Sequence, residues 1–350
     1  MLRLFQTTNP AILHQYTALL GSIASRQLVQ SLNKKDNRVD IHSIEDLAFW
    51  DNKYQMGNYT FRRKPREVIQ KIMKQSLQVC AVMRAPKHDR NGQSHLMLPS
   101  TNLEQRYDRQ GGGKRVICRQ ERFADQPSFK CATGVLIGKR TILTAGHLFY
   151  NNGKRLKDKD ILNDYRFVFN YRHTNENRSL HTEAKTRYHK AEEVFWAKEV
   201  RLIRYNFTQD FALIELYKDV PWYDLKTINR HAPAAQKGQP LYMLGHGLGL
   251  PMKYSDEAKV QRMLTKDLYE SNLDAFQGDS GAPVFSARNF HLTGILVGGQ
   301  RDFTQYTEVG CVISRDPNNP ANSFRKKAIE KVQRMDAINE EIKKLKIEIN

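Results

Sequence analysis

Three short segments hold the residue types that could do chemistry together. They are Thr144-Ala145-Gly146-His147, Asp210-Phe211-Ala212-Leu213-Ile214-Glu215-Leu216 and Gly278-Asp279-Ser280-Gly281-Ala282-Pro283. A serine hydroxyl is a poor nucleophile near neutral pH until a base takes its proton and a third group holds that base in the right tautomer. Acyl transfer also needs backbone N–H groups aimed at the oxygen on which negative charge develops. Ser280 stands in a glycine-flanked turn, where Gly278 lets the backbone approach a substrate carbonyl closely. Each segment alone is a weak signal; the three together point to acyl transfer.

The flanking residues predict strands that would carry these groups. Val135-Leu136-Ile137-Gly138 and Thr141-Ile142-Leu143-Thr144-Ala145 are β-branched runs joined by a Gly-Lys-Arg turn, so His147 stands where a strand enters a loop. Phe211 to Leu216 is a further short apolar run, entered by Asp210, with small Ala212 leaving room for an imidazole. Pro283-Val284-Phe285 and Leu292-Thr293-Gly294-Ile295-Leu296-Val297 read as a hairpin pair behind the serine. Short strands with frequent turns, in place of long amphipathic helices, suit a two-barrel all-β fold.

The order His, Asp, Ser is the chymotrypsin order, and the chain resembles the trypsin/chymotrypsin-fold serine peptidases. It is most similar to a bacterial trypsin-like branch related to the glutamyl endopeptidases. Further motifs carry this likeness: Asp36-Asn37-Arg38-Val39-Asp40, Glu121 to Pro127, Tyr165 to Phe169, Gly245 to Pro251 and Asn272 to Phe276. The resemblance spans roughly residues 36 to 315. It implies an all-β fold, a double six-stranded β-barrel with an N-terminal extension and a C-terminal α-helix. It also implies a serine endopeptidase with His147 as general base then acid, Asp210 as its orienter and Ser280 as nucleophile. The N–H groups of Gly278 and Ser280 would form the oxyanion hole. It implies no cofactor and no metal, and a protein or peptide as substrate.

Specificity by the same resemblance hangs on Asp274, six residues before Ser280, at the floor of the primary pocket. A buried carboxylate there is paired only when Arg or Lys enters, and leaving it unpaired costs several kcal/mol. The walls would be Ala275-Phe276-Gln277 and Val297-Gly298-Gly299, with Val297 to Gly299 pairing with the substrate backbone as an added strand. The alternative makes Asp274 a turn residue facing solvent. Two departures stand out. Leu296 occupies the place where glutamyl-specific relatives carry a histidine. Asp279 precedes the serine, where it would pair either with its own loop or, as in zymogen-type relatives, with an N-terminus freed by cleavage, for which Lys114-Arg115 before Val116-Ile117 is a candidate site.

The chain has 350 residues, enough for a large two-barrel unit with extensions. The expected division is 1–35 as an extension or signal-like segment, 36–115 as a basic region packing on the first barrel, 116–322 as the two barrels and 323–350 as an amphipathic helix. No apolar run approaches a membrane span. The net charge of +19 distributes as +10 over residues 1–115, +6 over 116–322 and +3 over 323–350, so the excess is heaviest outside the catalytic segments. Its densest patch, Arg62-Arg63-Lys64-Pro65-Arg66, is a candidate for weak anionic-surface binding, against the plainer reading of a solvated basic face; no specific nucleic-acid partner is implied.

Four cysteines are too few for a disulfide scaffold and lack zinc spacing. Cys118 and Cys131 resemble a bridged pair of the bacterial relatives, and Cys80 reads as a small core residue. Tyr16 to Ala24 is a weak match to a secretory signal, giving a secreted or periplasmic expectation. From Ser323 onward, Ile329, Val332, Met335, Ile338, Ile342, Leu345 and Ile349 form one helical stripe, either docked on the second barrel or available for helix-mediated association. His173, His181 and His189 fit no one-face metal site, and His246 and His291 read as structural. The alternative to an enzyme is a non-catalytic or latent binding module on the same fold.

Overall fold

The computed structural model describes residues 38–41, 64–85, 101–106, 117–118, 121–172, 193–224, 226–231, 233–299, 302–303, 311–312 and 329–349, with backbone only for 53–56, 59–62, 96–99, 186–189, 304–306 and 313–314. Two antiparallel barrels dominate. The first uses β2 (Val79–Arg84), β3 (Cys131–Leu136), β4 (Thr141–Thr144), β5 (Tyr165–Phe169), β6 (Val194–Tyr205) and β7 (Asp210–Leu216) in the closed order β5-β6-β7-β4-β3-β2. The ring shuts where β2 pairs with β5, Arg84 opposite Tyr165.

The second barrel uses β8 (Pro240–Gly245), β9 (Lys253–Met263), β10 (Leu268–Ser271), β11 (Pro283–Ser286), β12 (Leu292–Gly298) and β13 (Glu330–Arg334). Their order is β9-β8-β11-β12-β13-β10, closed by β10 against β9. A two-residue strand, β1 (Val39–Asp40), adds to the outside of β9. Closure leaves no bare edge on either ring. This is the chymotrypsin-like double six-stranded barrel.

The strands read as unbroken apolar runs because both faces are covered. In β4 and β7, Ile142, Ala212 and Ile214 point into the first barrel with Phe149, Phe167, Phe169 and Phe195. Their neighbours Leu143, Phe211 and Leu213 point the other way, into a layer between the barrels. That alternation is the two-residue period of a strand. The inter-barrel layer also takes Ile69 and Ile72 from α1 (Arg66–Ser76) and Met335, Ile338 and Ile342 from α2 (Met335–Lys344). Both helices thus pack onto that layer.

Several expectations differ from what is observed. Val79–Arg84, in the region expected to pack on the first barrel, is one of its six strands, with Cys80 fully buried. The terminal stripe is not one helix. Glu330–Arg334 is a strand filling the gap between β10 and β12, and the helix begins only at Met335. Ladder pairing on both sides outweighs the helical propensity of Glu330, Lys331, Gln333 and Arg334, because tertiary context overrides local preference. Met335, Ile338 and Ile342 are spent inside the chain.

Cys118 pairs with Cys311, not with Cys131. The two are 5.1 Å apart at Cα although 193 residues separate them, and closing so long a loop removes on the order of 5 kcal/mol of chain entropy from the unfolded state. Cys131 instead starts β3, where burial pushes its thiol up to about 12. Residues 1–35, Lys114-Arg115, His173 and His181 lie outside the described residues, as do the side chains of Arg62, Arg63 and His189. Lys64 pairs with Asp256 at 2.7 Å. No helix among the described residues is long and apolar enough to cross a membrane.

Candidate active site

The first barrel presents two of the chemical groups from adjacent elements. β4 ends at Thr144 and a single 3-10 turn, Gly146–Phe149, carries His147. Gly146 is required there: a Cβ would stand 2.0 Å from the carbonyl oxygen of Arg204 on β6. Asp210 opens β7, next to β4 in the barrel. Its Oδ1 accepts the His147 backbone N–H at 2.8 Å and its Oδ2 lies 2.7 Å from His147 Nδ1. An ionised carboxylate only accepts, so Nδ1 carries the proton and Nε2 presents its lone pair. That lone pair faces Ser280 Oγ at 3.0 Å.

Ser280 comes from the second barrel, in the turn before β11. Gly278 has φ +110° and Gly281 φ +84°, backbone conformations that L side chains rarely adopt. The Gly281 N–H donates to Leu296 O at 2.7 Å, tying the turn to β12. Among the described residues, neither the Gly278 nor the Ser280 N–H donates to a protein acceptor. Unengaged backbone N–H groups in the turn that carries a serine hydroxyl are able to receive a developing oxyanion.

Residues outside the three motifs fix this geometry. Thr133 on β3 is fully buried and straddles the barrels. Its N–H donates to Ser280 O at 2.9 Å, its hydroxyl donates to Gly278 O at 3.0 Å, and that hydroxyl accepts the His246 N–H at 3.0 Å. Gln333 on β13 is also fully buried; its Oε1 accepts the Asp210 N–H at 2.9 Å while its Nε2 donates to Asp267 O at 3.0 Å. No local pattern announces either residue, because each acts on a partner more than a hundred positions away. The aromatic ring of Tyr205 lies 6.0 Å from that of His147.

Asp274 is 5% exposed, so it is not a solvent-facing turn residue. The Leu296 N–H donates to Ala282 O, but β12 outruns β11 beyond this point, leaving Val297 and Gly298 without a β11 partner. Val297 is half-buried and Gly299 exposed. A Cβ on Gly298 would meet nothing within 4 Å, whereas one on Gly299 would strike Glu330 Oε2 at 1.8 Å. Glu330, 4% exposed, is therefore a buried carboxylate beside this strand, and it lies on β13, where a helix is expected from the spacing of apolar residues. His246 is fully buried, its Nδ1 3.1 Å from Leu250 O and its ring stacked on Tyr171, a structural placement.

The trypsin-like peptidase domain, as a sequence family, matches residues 132–295, a span that contains His147, Asp210 and Ser280. No curated protein matches the sequence significantly. Among solved structures, the Rv3671c protease from M. tuberculosis in its active form is 12% identical, with 83% of this chain and 94% of that one covered and a TM-score of 0.42. Mouse neuropsin, a serine protease of the limbic system, is 15% identical over 78% and 95% of the two chains, with a TM-score of 0.42. The serine endoprotease from Yersinia pestis is 11% identical over 81% and 67%, with a TM-score of 0.44.

Proposed function

We propose that the protein is a serine endopeptidase working through an acyl-enzyme, with His147, Asp210 and Ser280 as its catalytic residues. Ser280 Oγ forms a bond to the scissile carbonyl carbon while its proton passes to His147 Nε2, and the N–H groups of Gly278 and Ser280 receive the oxyanion. Collapse expels the amine, which takes the proton from His147. Water, activated by the same imidazole, then releases the acid and returns the serine. The observation that carries this reading is the continuous row from Asp210 through His147 to Ser280, at 2.7 and 3.0 Å.

The test is covalent labelling by a fluorophosphonate probe. Purified protein is expected to take up one probe at Ser280, and Ser280→Ala none. Silence of the folded wild-type chain, both whole and cleaved after Arg115, would favour a latent binding module on the same fold.

Cleavage after Arg or Lys is the specificity this reading favours. Support comes from the burial of Asp274, from a second buried carboxylate, Glu330, against Gly299, and from apolar Leu296, which offers a glutamate side chain no partner. A peptide-library profile should therefore show a basic residue before the scissile bond, with Asp274→Ser reducing kcat/KM on such peptides by at least tenfold. A profile unmoved by that substitution discards the assignment. A compartment outside the reducing cytosol fits the Cys118–Cys311 bridge, and the two-barrel unit in this reading extends beyond residues 116–322 to take in β2 and β13.

A further inference from the structure

Arg38 is among the largest fully buried side chains, at 1% exposure, and the reaction as written makes no use of it. A buried guanidinium retains its charge and needs compensation. Its Cζ lies 3.7 Å from the centroid of the Phe276 ring and 5.6 Å from that of Phe123. A Cβ built on Gly247 would come within 2.4 Å of Asp279 Oδ2 and 3.0 Å of Arg38 Nη1, so both groups converge on that glycine. Asp279, 1% exposed, is the residue immediately before Ser280. Its Oδ2 accepts the Phe276 N–H at 2.9 Å, and its own backbone closes the turn through Asp279 N–H to Phe276 O and Ala282 N–H to Asp279 O.

The segment bearing Arg38 is firmly anchored. Val39 and Asp40 pair with Tyr254 and Lys253 of β9. Lys253 Nζ contacts Asp40 Oδ1 and Gln126 Oε1, each at 2.7 Å, and Gln126 Nε2 donates to Asp40 Oδ2 at 2.9 Å.

We infer that Arg38 is a resident counter-cation for Asp279, a positioning residue that holds the Gly278–Gly281 turn in its oxyanion-binding shape in the uncleaved chain. The inference rests on the hydrolase reading and gives that same site its regulation: no newly freed N-terminus is needed, and Lys114-Arg115 is not an activation site. Burial pushes the Asp279 carboxyl up to about 6; Arg38 and the Phe276 and Gly247 N–H groups oppose that rise, while Asp302 adds to it. Cys131, the remaining titratable neighbour, has its thiol pushed up by burial and is neutral. Removing Arg38 therefore moves the ionisation of Asp279 further upward, into the neutral range.

The experiment compares wild type, Arg115→Ala, Arg38→Lys, Arg38→Met, Asp279→Asn and Arg38→Met/Asp279→Asn, all as full chains. Arg115→Ala is expected to label with fluorophosphonate at the wild-type rate. Arg38→Met should lower labelling rate and kcat at neutral pH by roughly 10- to 100-fold, up to the loss of an oxyanion donor, with KM within about twofold. The acid limb of its pH profile should move upward, and Arg38→Lys should restore most of the rate. Adding Asp279→Asn to Arg38→Met should recover part of the lost melting temperature, because no unpaired charge then stays buried. Wild-type rates with an unmoved acid limb in Arg38→Met would overturn the inference, as would dependence on cleavage at Arg115 or simple additivity of the two substitutions in melting temperature. Failure of the wild type to label would instead sink the hydrolase reading, and the melting-temperature cycle would still test the pair.

Discussion

Asp210→Asn is expected to lower kcat by about 10⁴ while leaving KM and melting temperature close to wild type. The two oxygens of Asp210 face two donors, the His147 backbone N–H at 2.8 Å and Nδ1 at 2.7 Å. Asparagine has the same shape but only one accepting oxygen. If that oxygen stays on the backbone N–H, the amide NH₂ faces Nδ1, which must then be unprotonated. The ring proton moves to Nε2 and points at Ser280 Oγ, so the base has become a donor at the position where it should accept. The opposite flip sets NH₂ against N–H and displaces the histidine turn. Either way the hydroxyl loses its base. Steady-state kinetics on a peptide ester, beside a thermal melt, checks the claim; a loss under tenfold would mean that the carboxylate does not set the tautomer.

The three groups that the fold brings together are legible in the sequence because each sits inside a local signal. His147 follows a strand-ending Thr-Ala-Gly, Asp210 opens an apolar run, and Ser280 lies between glycines, so three short windows suffice. What escaped was whatever acts across long separations. Thr133 meets Gly278 at a separation of 145 residues, and Gln333 meets Asp210 at 123. Neither a buried threonine nor a buried glutamine has a periodicity that names its partner. The Cys118–Cys311 bridge belongs to the same class, since spacing cannot choose among pairings of four cysteines.

The β13 segment failed differently. Ile329, Val332 and Met335 recur every three residues, which suits a helix, but Glu330, Val332 and Gln333 are buried between two strands that close a barrel. Local pattern lost to ladder pairing there. Arg38 belongs to one of the motifs that carry the family likeness, yet its role depends on Asp279 converging with it on Gly247, which only the fold supplies.

Gly281→Ala is expected to destabilise the protein by about 2–6 kcal/mol and to lower kcat by about 10²-fold. One part is strain, because φ is +84° and an L residue held there costs of order 1–3 kcal/mol. The other is collision. A Cβ would stand 2.2 Å from Thr133 O, 2.3 Å from Thr144 Oγ1 and 2.9 Å from Ala145 N, all on the first barrel. Two of these neighbours are backbone, so relief requires the barrels to part, at a further ~1–3 kcal/mol. Parting them carries Ser280 away from His147, and a displacement near 1 Å is worth about 10² in rate. Gly153→Ala separates the two contributions: its φ is +75°, but nothing lies within 4 Å of the added methyl. It should show strain alone, about 1 kcal/mol by denaturant titration, with kcat unchanged. If both substitutions cost the same, contact between the barrels at Gly281 is not what holds the serine against its base.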